Sequence, residues 1–307
     1  VNRRKFFRDG LSAAAAFSLA GAGAVRAAPR TVPASPGAKF KLRYAPSIGQ
    51  FKALAGNDPG AQIRFASDEG FTAMFDNGIM GRPGAEQDAI VREISARDMI
   101  LGPFVLYADF GVESFVLSSK DVREMLLGKM RQSIETMKRT NIKQALVVLG
   151  RYNQRMPWGY QTANAVDNLR ACMEVCEPAG LCLVLEPLNP RDHPGLFLTK
   201  MAQAFDICRA VKSPSCKILD DMYHQQITEG DIIPNIDACW AEIAAFHIGD
   251  TPGRKEPTTG EINYRNIFKH IHDKGFTGVL CMEHGQSKPG KDGERAVIDA
   301  YRACDEF

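Results

Sequence analysis

The sequence holds no Cys-x-x-Cys, and its eight cysteines all fall between Cys172 and Cys304. Their spacings fit no zinc module. A chain of 307 residues with its cysteines confined to one half is also a poor disulfide framework. Most of these thiols are therefore read as small buried hydrophobes. Neither sign of charge is in excess. The formal net charge of +2 gives no basic footprint, so no nucleic acid is expected as a partner. No Gly-x-Gly-x-x-Gly follows the first apolar segment, where Gly49 and Gly56 stand apart, and this removes a dinucleotide cofactor. Beyond residue 40 no apolar run is long enough to span a membrane. What is present in quantity is core material: 45% of the residues are hydrophobic, ample for one large domain.

The first residues differ from the rest. Arg3-Arg4-Lys5-Phe6-Phe7-Arg8 precedes an apolar, alanine-rich run over 11–25, with small residues at Val25, Ala27 and Ala28. A basic start, a short apolar stretch and small residues at its end make a signal peptide. The arginine pair before Phe6-Phe7 has the form of a twin-arginine signal. The expected organisation is thus a signal peptide at 1–28, a Pro/Ala/Ser-rich linker at 29–38 and one domain at 39–307. The twin-arginine export machinery is the expected partner, and the periplasm the expected location. The other reading is an uncleaved N-terminal membrane anchor, for which the run is short.

From residue 39 onward short apolar segments alternate with longer amphipathic ones. Strands are expected at 42–45, 71–75, 100–107, 145–149, 181–185, 217–219, 246–248 and 278–282. Helices are expected at 58–69, 86–98, 120–140, 162–179, 199–211, 232–241, 264–274 and 294–303. The clearest helix is 120–140, where Val122, Met125, Leu126, Met130, Ile134 and Met137 share one face. Gly180 ends the 162–179 helix as a C-cap. The mixed-charge stretch 288–294 is expected to be a solvated loop or a lid. The strands are apolar on both faces, as parallel strands covered by helices must be. Alternation, count and length point to an α/β fold, a single (β/α)₈ TIM barrel.

In such a barrel, chemistry sits at the C-terminal ends of the strands. Four consecutive strands here end in a metal-ligand type: Glu186, Asp221, His247 and Glu283. Any one carboxylate at a strand end has a plain explanation as a helix cap. Four around one point are harder to explain that way, because neighbouring strands bring their ends together. Three carboxylates would repel one another, and a divalent cation resolves that conflict. An oxygen-rich set with one imidazole suits one Mn²⁺ ion, with Mg²⁺ or Co²⁺ as alternatives.

Local sequence adds a resemblance. Leu185-Glu186-Pro187-Leu188-Asn189-Pro190-Arg191-Asp192 resembles the Glu-Pro-x-Asn segment of the hydroxypyruvate isomerase and ketose 3-epimerase families, and Asp221-Met222-Tyr223-His224 their Asp-x-Tyr-His. His247-Ile248-Gly249-Asp250-Thr251-Pro252-Gly253-Arg254, with Glu256-Pro257 and Gly260-Glu261-Ile262-Asn263-Tyr264, is similar to a long segment of hydroxypyruvate isomerases. The resemblance implies Glu186, Asp221, His247 and Glu283 as metal ligands. It implies Glu186 and Glu283 also as the paired acid/base carboxylates, and His224, Arg254 and Asp192 as holders of the substrate. Position 247 is often Gln in the isomerases and His in the epimerases. The chain departs from the pattern at Met74-Phe75, where the isomerases tend to have Glu, with Asp76 one place on and pointing elsewhere. It departs again at Leu106-Tyr107-Ala108, where Asn is common.

Each supporting residue also has a plainer role. His224 can fill space beside Asp221, and Arg254 can brace Glu256 or Glu261. His284 can pack on the far face of its strand, and His270 and His272 can face solvent. Trp158, placed in a loop, can wall a pocket or pack in the core. The implied activity is a metal-dependent isomerisation of a small sugar or hydroxy-keto acid, such as hydroxypyruvate to tartronate semialdehyde, by proton transfer through an enediolate. Alternatives are a ketose 3-epimerase or keto-inositol dehydratase-like lyase, and, in another class, a non-catalytic periplasmic sugar-binding barrel. Endonuclease IV shares the fold but needs more histidines. A homo-oligomer is compatible with all of these. The export reading has a direct test: replacing Arg3 and Arg4 with Lys is expected to hold the precursor in the cytoplasm. Mature protein in the periplasm at the unsubstituted level would overturn it.

Overall fold

The computed structural model describes residues 37–307. The signal peptide read at 1–28 and all but the last two residues of the 29–38 linker lie outside the described residues. Nine strand segments are found among the described residues: β1 (Arg43–Pro46), β2 (Ala73–Met74), β3 (Ile100–Leu101), β4 (Phe104–Tyr107), β5 (Gln144–Val147), β6 (Cys182–Leu185), β7 (Cys216–Asp221), β8 (Ile243–Ile248) and β9 (Val279–Met282). Their pairings are all parallel. One sheet runs β1-β9-β8-β7-β6-β5-β4, and β2 pairs with β3.

Single backbone bonds close the ring where regular pairing stops. Phe75 N donates to Pro46 O (3.1 Å) and Ile48 N to Phe75 O (3.0 Å), joining β1 to the end of β2. Gly102 N donates to Met74 O (2.8 Å) and Val105 N to Asn77 O (3.1 Å), joining β2 to β3 and β4. Segments β3 and β4 are one stave broken at Gly102-Pro103, so the staves number eight and the barrel closes as the alternation indicated. The single strand expected at 100–107 breaks for two reasons. Pro103 has no amide to donate. Gly102 presses so far inward that a Cβ there would meet Cys281 Sγ at 3.0 Å and Phe75 Cβ at 3.2 Å.

Two packed layers result. Ala45, Ala73, Phe75, Leu146, Val148, Val184, Leu219, Ala245, Val279 and Cys281 belong to the smaller apolar cluster, inside the barrel. A larger cluster of side chains from the helices and the outward faces of the strands surrounds it. Inward residues are two apart because strand side chains alternate. Val184, Leu219, Ala245 and Cys281 are inward; two residues on stand Glu186, Asp221, His247 and Glu283. The helix Lys120–Thr140 buries Leu126, Met130, Ile134 and Met137, whereas Met125, expected on the same face, is 37% exposed. Gly180 ends the helix Trp158–Ala179 in the left-handed region with φ +77°, where a side chain would be strained.

Three expectations change. Trp158 opens a helix rather than sitting in a loop; it is half exposed, with its ring 5.0 Å from Phe197 and 5.8 Å from Tyr152. Residues 288–294 are largely the first turn of the helix Gly290–Cys304. Glu294, buried, accepts hydrogen bonds from Ala53 N (2.7 Å) and Leu54 N (2.8 Å), which fastens that turn to the body instead of leaving a lid. The short helix Met222–Thr228 was not anticipated. The eight cysteines are free, and seven are buried, with Cys182 half-buried. Burial pushes the Cys172 thiol up to about 12, so it packs without reacting.

Candidate active site

The four strand ends converge. One ligand atom from each of Glu186, Asp221, His247 and Glu283 lies within 4.8 Å of the other three. His247 Nδ1 is central, 3.2 Å from Glu186 Oε1, 3.1 Å from Glu283 Oε2 and 4.0 Å from Asp221 Oδ2. Asp221 divides its oxygens. Oδ1 caps the helix Met222–Thr228 by accepting from Tyr223 N (2.8 Å) and His224 N (3.2 Å), which leaves Oδ2 for the site. The cluster opens to solvent on one side only: the side chains of Glu283 and Arg254 are 26% and 29% exposed, those of Asp221 and His247 1% and 0%.

Charge in this pocket is tightly balanced. Burial pushes the Glu186 carboxyl above the ordinary carboxylate range, opposed by its bond to His247. Burial acts in the same direction on Glu283, but His247, Arg254 and Asn77 outweigh it and hold that carboxyl below the ordinary range. Burial alone would depress His247; Glu283 and the bonds to both glutamates raise it well above an ordinary histidine. Two carboxyls in one pocket are thereby driven apart in acidity, a pattern typical of acid/base sites. The donor set also fits a divalent cation: acceptor-only carboxylates and one imidazole nitrogen, pointed at one centre and otherwise in mutual repulsion.

Arg254 enters from the loop after β8. Its Nη2 donates to Asp221 Oδ2 (2.7 Å) and to Glu283 Oε2, and its Nε to Glu283 O (3.1 Å). It braces neither Glu256 nor Glu261. Glu256 is instead buried and bonded to the Ser287 amide (2.9 Å) and hydroxyl. Asp250, fully buried, accepts from Thr251 N, Gly260 N and Ile262 N, which folds the loop over 250–262 into the shape that presents Arg254.

His224 lies beside Asp221, its Nε2 3.6 Å from Asp221 Oδ2. The opposite ring nitrogen, Nδ1, accepts from the Asn189 backbone amide (3.3 Å) and faces the Asn189 side-chain amide at 2.6 Å. A backbone N–H can only donate, so the Nδ1 lone pair is occupied and the proton resides on Nε2, directed at the site. Asp192 stands one step back. Its Oδ2 accepts from Asn189 Nδ2 (3.1 Å) and Tyr223 OH (2.7 Å), so it orients the groups that orient His224. His284 stacks on Tyr301 and bonds its hydroxyl (2.9 Å), and His270 pairs with Asp237 (2.9 Å); neither His284, His270 nor His272 belongs to the cluster.

A family model described as xylose isomerase-like TIM barrel matches residues 63–304. The chain belongs to this family. It is similar to the 2-oxo-tetronate isomerase of Cupriavidus necator, at 33% identity over 40% of this chain and 47% of that one. It is similar also to the hydroxypyruvate isomerase of Escherichia coli, at 36% identity over 46% of this chain and 54% of that one. The chain spans about half the length of these relatives. Among solved folds it resembles an AP endonuclease family 2 protein from Brucella melitensis, with TM-score 0.70, 20% identity and coverage of 82% and 96%. Another is D-psicose 3-epimerase with D-tagatose from Clostridium cellulolyticum H10, with TM-score 0.66, 15% identity and coverage of 86% and 96%.

Sequence reading missed two residues at this xylose isomerase-like site. Asn189 was visible in the Glu-Pro-Leu-Asn segment, but its bond to His224 depends on folding. Asn77 follows Asp76, the charged residue that stands out at the end of β2 in the sequence. The structure turns Asp76 away, onto Arg82 and Gly78 N (3.0 Å), and turns Asn77 inward. The His224 geometry makes a spectroscopic prediction. Burial pulls this histidine down to about 4. Its ¹⁵N resonances at pH 7 are expected to show a neutral ring protonated on Nε2. The unfolded chain takes up the proton near the ordinary 6.5, the folded chain only near 4, so the stability contributed by neutral His224 is complete above 6.5 and lost as pH falls towards 4. His224→Gln is expected to flatten the melting-temperature slope across that window. An imidazolium or an Nδ1-protonated ring at pH 7 would contradict the assignment.

Proposed function

We propose that this chain is a metal-dependent isomerase of small hydroxy-carbonyl compounds, of the hydroxypyruvate isomerase type, that moves a proton between adjacent carbons. The observation that carries this reading is the convergence of three carboxylates and one imidazole from four neighbouring staves within 4.8 Å, faced by Arg254 and by the Nε2–H of His224. The names of the isomerase relatives support it.

Glu186, Asp221, His247 and Glu283 would hold the ion, and their oxygen-rich chemistry favours Mn²⁺. A divalent ion held there makes the proton next to a carbonyl more acidic and offsets the charge of the enediolate. The chain's own residues do the rest. One of Glu186 and Glu283, which lie 3.2 and 3.1 Å from His247 Nδ1, takes the proton from carbon, and the other returns one to the neighbouring carbon. His224 donates from Nε2 to a substrate oxygen. Arg254 spends Nε and Nη2 on Glu283 and Asp221, which leaves Nη1 to donate to a substrate oxygen such as that of a carboxylate. The burial of Asp221 and His247 keeps water from the closed side. A second reading, 3-epimerisation of a ketose on the same pair of glutamates, is favoured by the imidazole at position 247. Export to the periplasm remains part of the proposal and rests on the Arg3-Arg4 segment alone.

Substitutions at the ligands and at the paired glutamates test the assignment. Asp221→Ala removes a ligand and the cap of Met222–Thr228; Mn²⁺ occupancy and the melting-temperature gain on adding Mn²⁺ are both expected to fall. Unchanged values would show that Asp221 is not a ligand. Glu283→Gln keeps shape and one coordinating oxygen but removes basicity. Entry of solvent deuterium into hydroxypyruvate or a ketose, at saturating Mn²⁺, is expected to slow by roughly 10² to 10⁴. The Glu186→Gln, Glu283→Gln double variant should be little worse than either single one. A folded, metal-loaded Glu283→Gln protein with full turnover would end the two-carboxylate mechanism, and an absence of exchange in the unsubstituted protein would favour a sugar-binding barrel.

A further inference from the structure

The ends of the staves divide into two unlike halves. From β6 to β9 every inward end carries an ionisable group. On the other half the inward positions include Phe75 and Ala108, both packed on the interior cluster. Asn77 is the exception. It continues the inward series Ala73, Phe75, Asn77 past the end of β2. Its backbone is held: Asn77 O accepts from Val105 N at 3.1 Å. Phe75 beneath it sets its ring 5.9 Å from that of His247.

The two ends of the Asn77 amide differ. Nδ2 donates to Glu283 Oε1 at 2.5 Å. Because a carboxylate only accepts, this bond fixes which end of the amide is nitrogen. The carbonyl oxygen, Oδ1, is buried and has no hydrogen-bond partner, as few buried polar atoms do. Glu283 is consequently gripped on both oxygens: Oε1 by Asn77, and Oε2 by His247 Nδ1 and Arg254. A buried acceptor left without a donor, on the same amide that holds Glu283, calls for a donor.

We propose that Asn77 contacts substrate: its NH₂ pins Glu283 Oε1 while its Oδ1 accepts a hydrogen bond from a substrate hydroxyl. The assignment rests on the proposed role of Glu283. It also sets the direction in which the substrate lies. An amide oxygen repels a carboxylate, so an acidic substrate places its carboxylate toward Arg254 and a hydroxyl-bearing carbon toward β2. The ligand class is therefore a polyhydroxy carbonyl compound, neutral at the end that meets Asn77.

The test uses the Mn²⁺-loaded full chain and two probes. Erythritol has hydroxyls but no carbonyl to isomerise, and its binding is read by calorimetry; hydroxypyruvate reports turnover by deuterium exchange. Asn77→Ala loses both bonds. Erythritol affinity is expected to fall roughly three- to tenfold, and kcat to fall as well. Asn77→Asp keeps an acceptor, loses the donor and sets a charge against Glu283, so at saturating Mn²⁺ erythritol affinity should stay within about threefold while kcat falls. This split between binding and turnover is the signature, because a merely structural role lowers the melting temperature and moves both together in the two variants. Unchanged affinity and kcat in Asn77→Ala, or no erythritol binding by the unsubstituted protein, overturns the assignment. Weakened erythritol binding in Asn77→Ala with no exchange in any protein upholds the assignment and rejects the isomerase reading instead.

Discussion

Electrostatic conflict among three carboxylates is the constraint on which the rest of this protein turns. Glu186, Asp221 and Glu283 bring ligand atoms within 4.8 Å of one another in a largely buried pocket. Two unit charges at such a distance repel by about 3.5 kcal/mol at an effective dielectric near 20. Three such pairs together rival the whole folding stability of an ordinary domain. The surroundings answer this with donors at nearly every oxygen. Asp221 Oδ1 takes two helix amides, and Glu283 Oε1 takes an asparagine amide. His247 Nδ1 sits between the glutamates, and Arg254 spans the remaining gap. The loop over 250–262, knotted around buried Asp250, exists in this arrangement to deliver that one guanidinium.

How much of this was legible in the sequence follows from which physical rules are local. The quartet was legible because parallel barrel strands are apolar and end abruptly, so an ionisable residue just past the run is conspicuous. The eight-stave count was legible for the same reason. Other features were not. The break at Gly102-Pro103 hid inside one apolar run, since hydrophobic content says nothing of how close a backbone approaches Cys281. The helix Met222–Thr228 lay too near its strand to show a period of its own; its start is set by Asp221, which sequence marked for a different duty. Glu294 resembled one more charge in a polar loop, and only folding supplies the amides of Ala53 and Leu54 that bury it.

Asn77 and Asn189 share a reason for having been overlooked. Both are neutral, so neither draws notice in a search for ligands or acids. Both act by fixing a charged or titratable neighbour: Asn77 holds one oxygen of Glu283, and Asn189 holds one nitrogen of His224. An amide suits this work because it offers a donor without adding charge to a pocket that already has too much. Alternation of two along β2 would have flagged Asn77, had the strand been continued past its apolar part. The Glu-Pro-Leu-Asn segment displays Asn189, but nothing local gives its partner, which is 35 residues away.

The division of the barrel mouth into a charged half and an apolar half then acquires a functional sense. A reaction that relocates a proton on a small molecule needs its ionisable groups on one side, close enough to share a cation and two acids. It needs an opposite wall that does not compete for that cation. Phe75 and Ala108 compete for nothing. Asn77 stands at the seam, the point from which a neutral group reaches across to the charged half: its amide nitrogen holds Glu283 and its oxygen is buried without a partner. A glutamate near that seam, as the isomerase pattern tends to have where this chain reads Met74-Phe75, would add a fourth carboxylate to the conflict. An amide there steadies Glu283 without adding charge, and the electrostatic balance of the four charged staves is left intact.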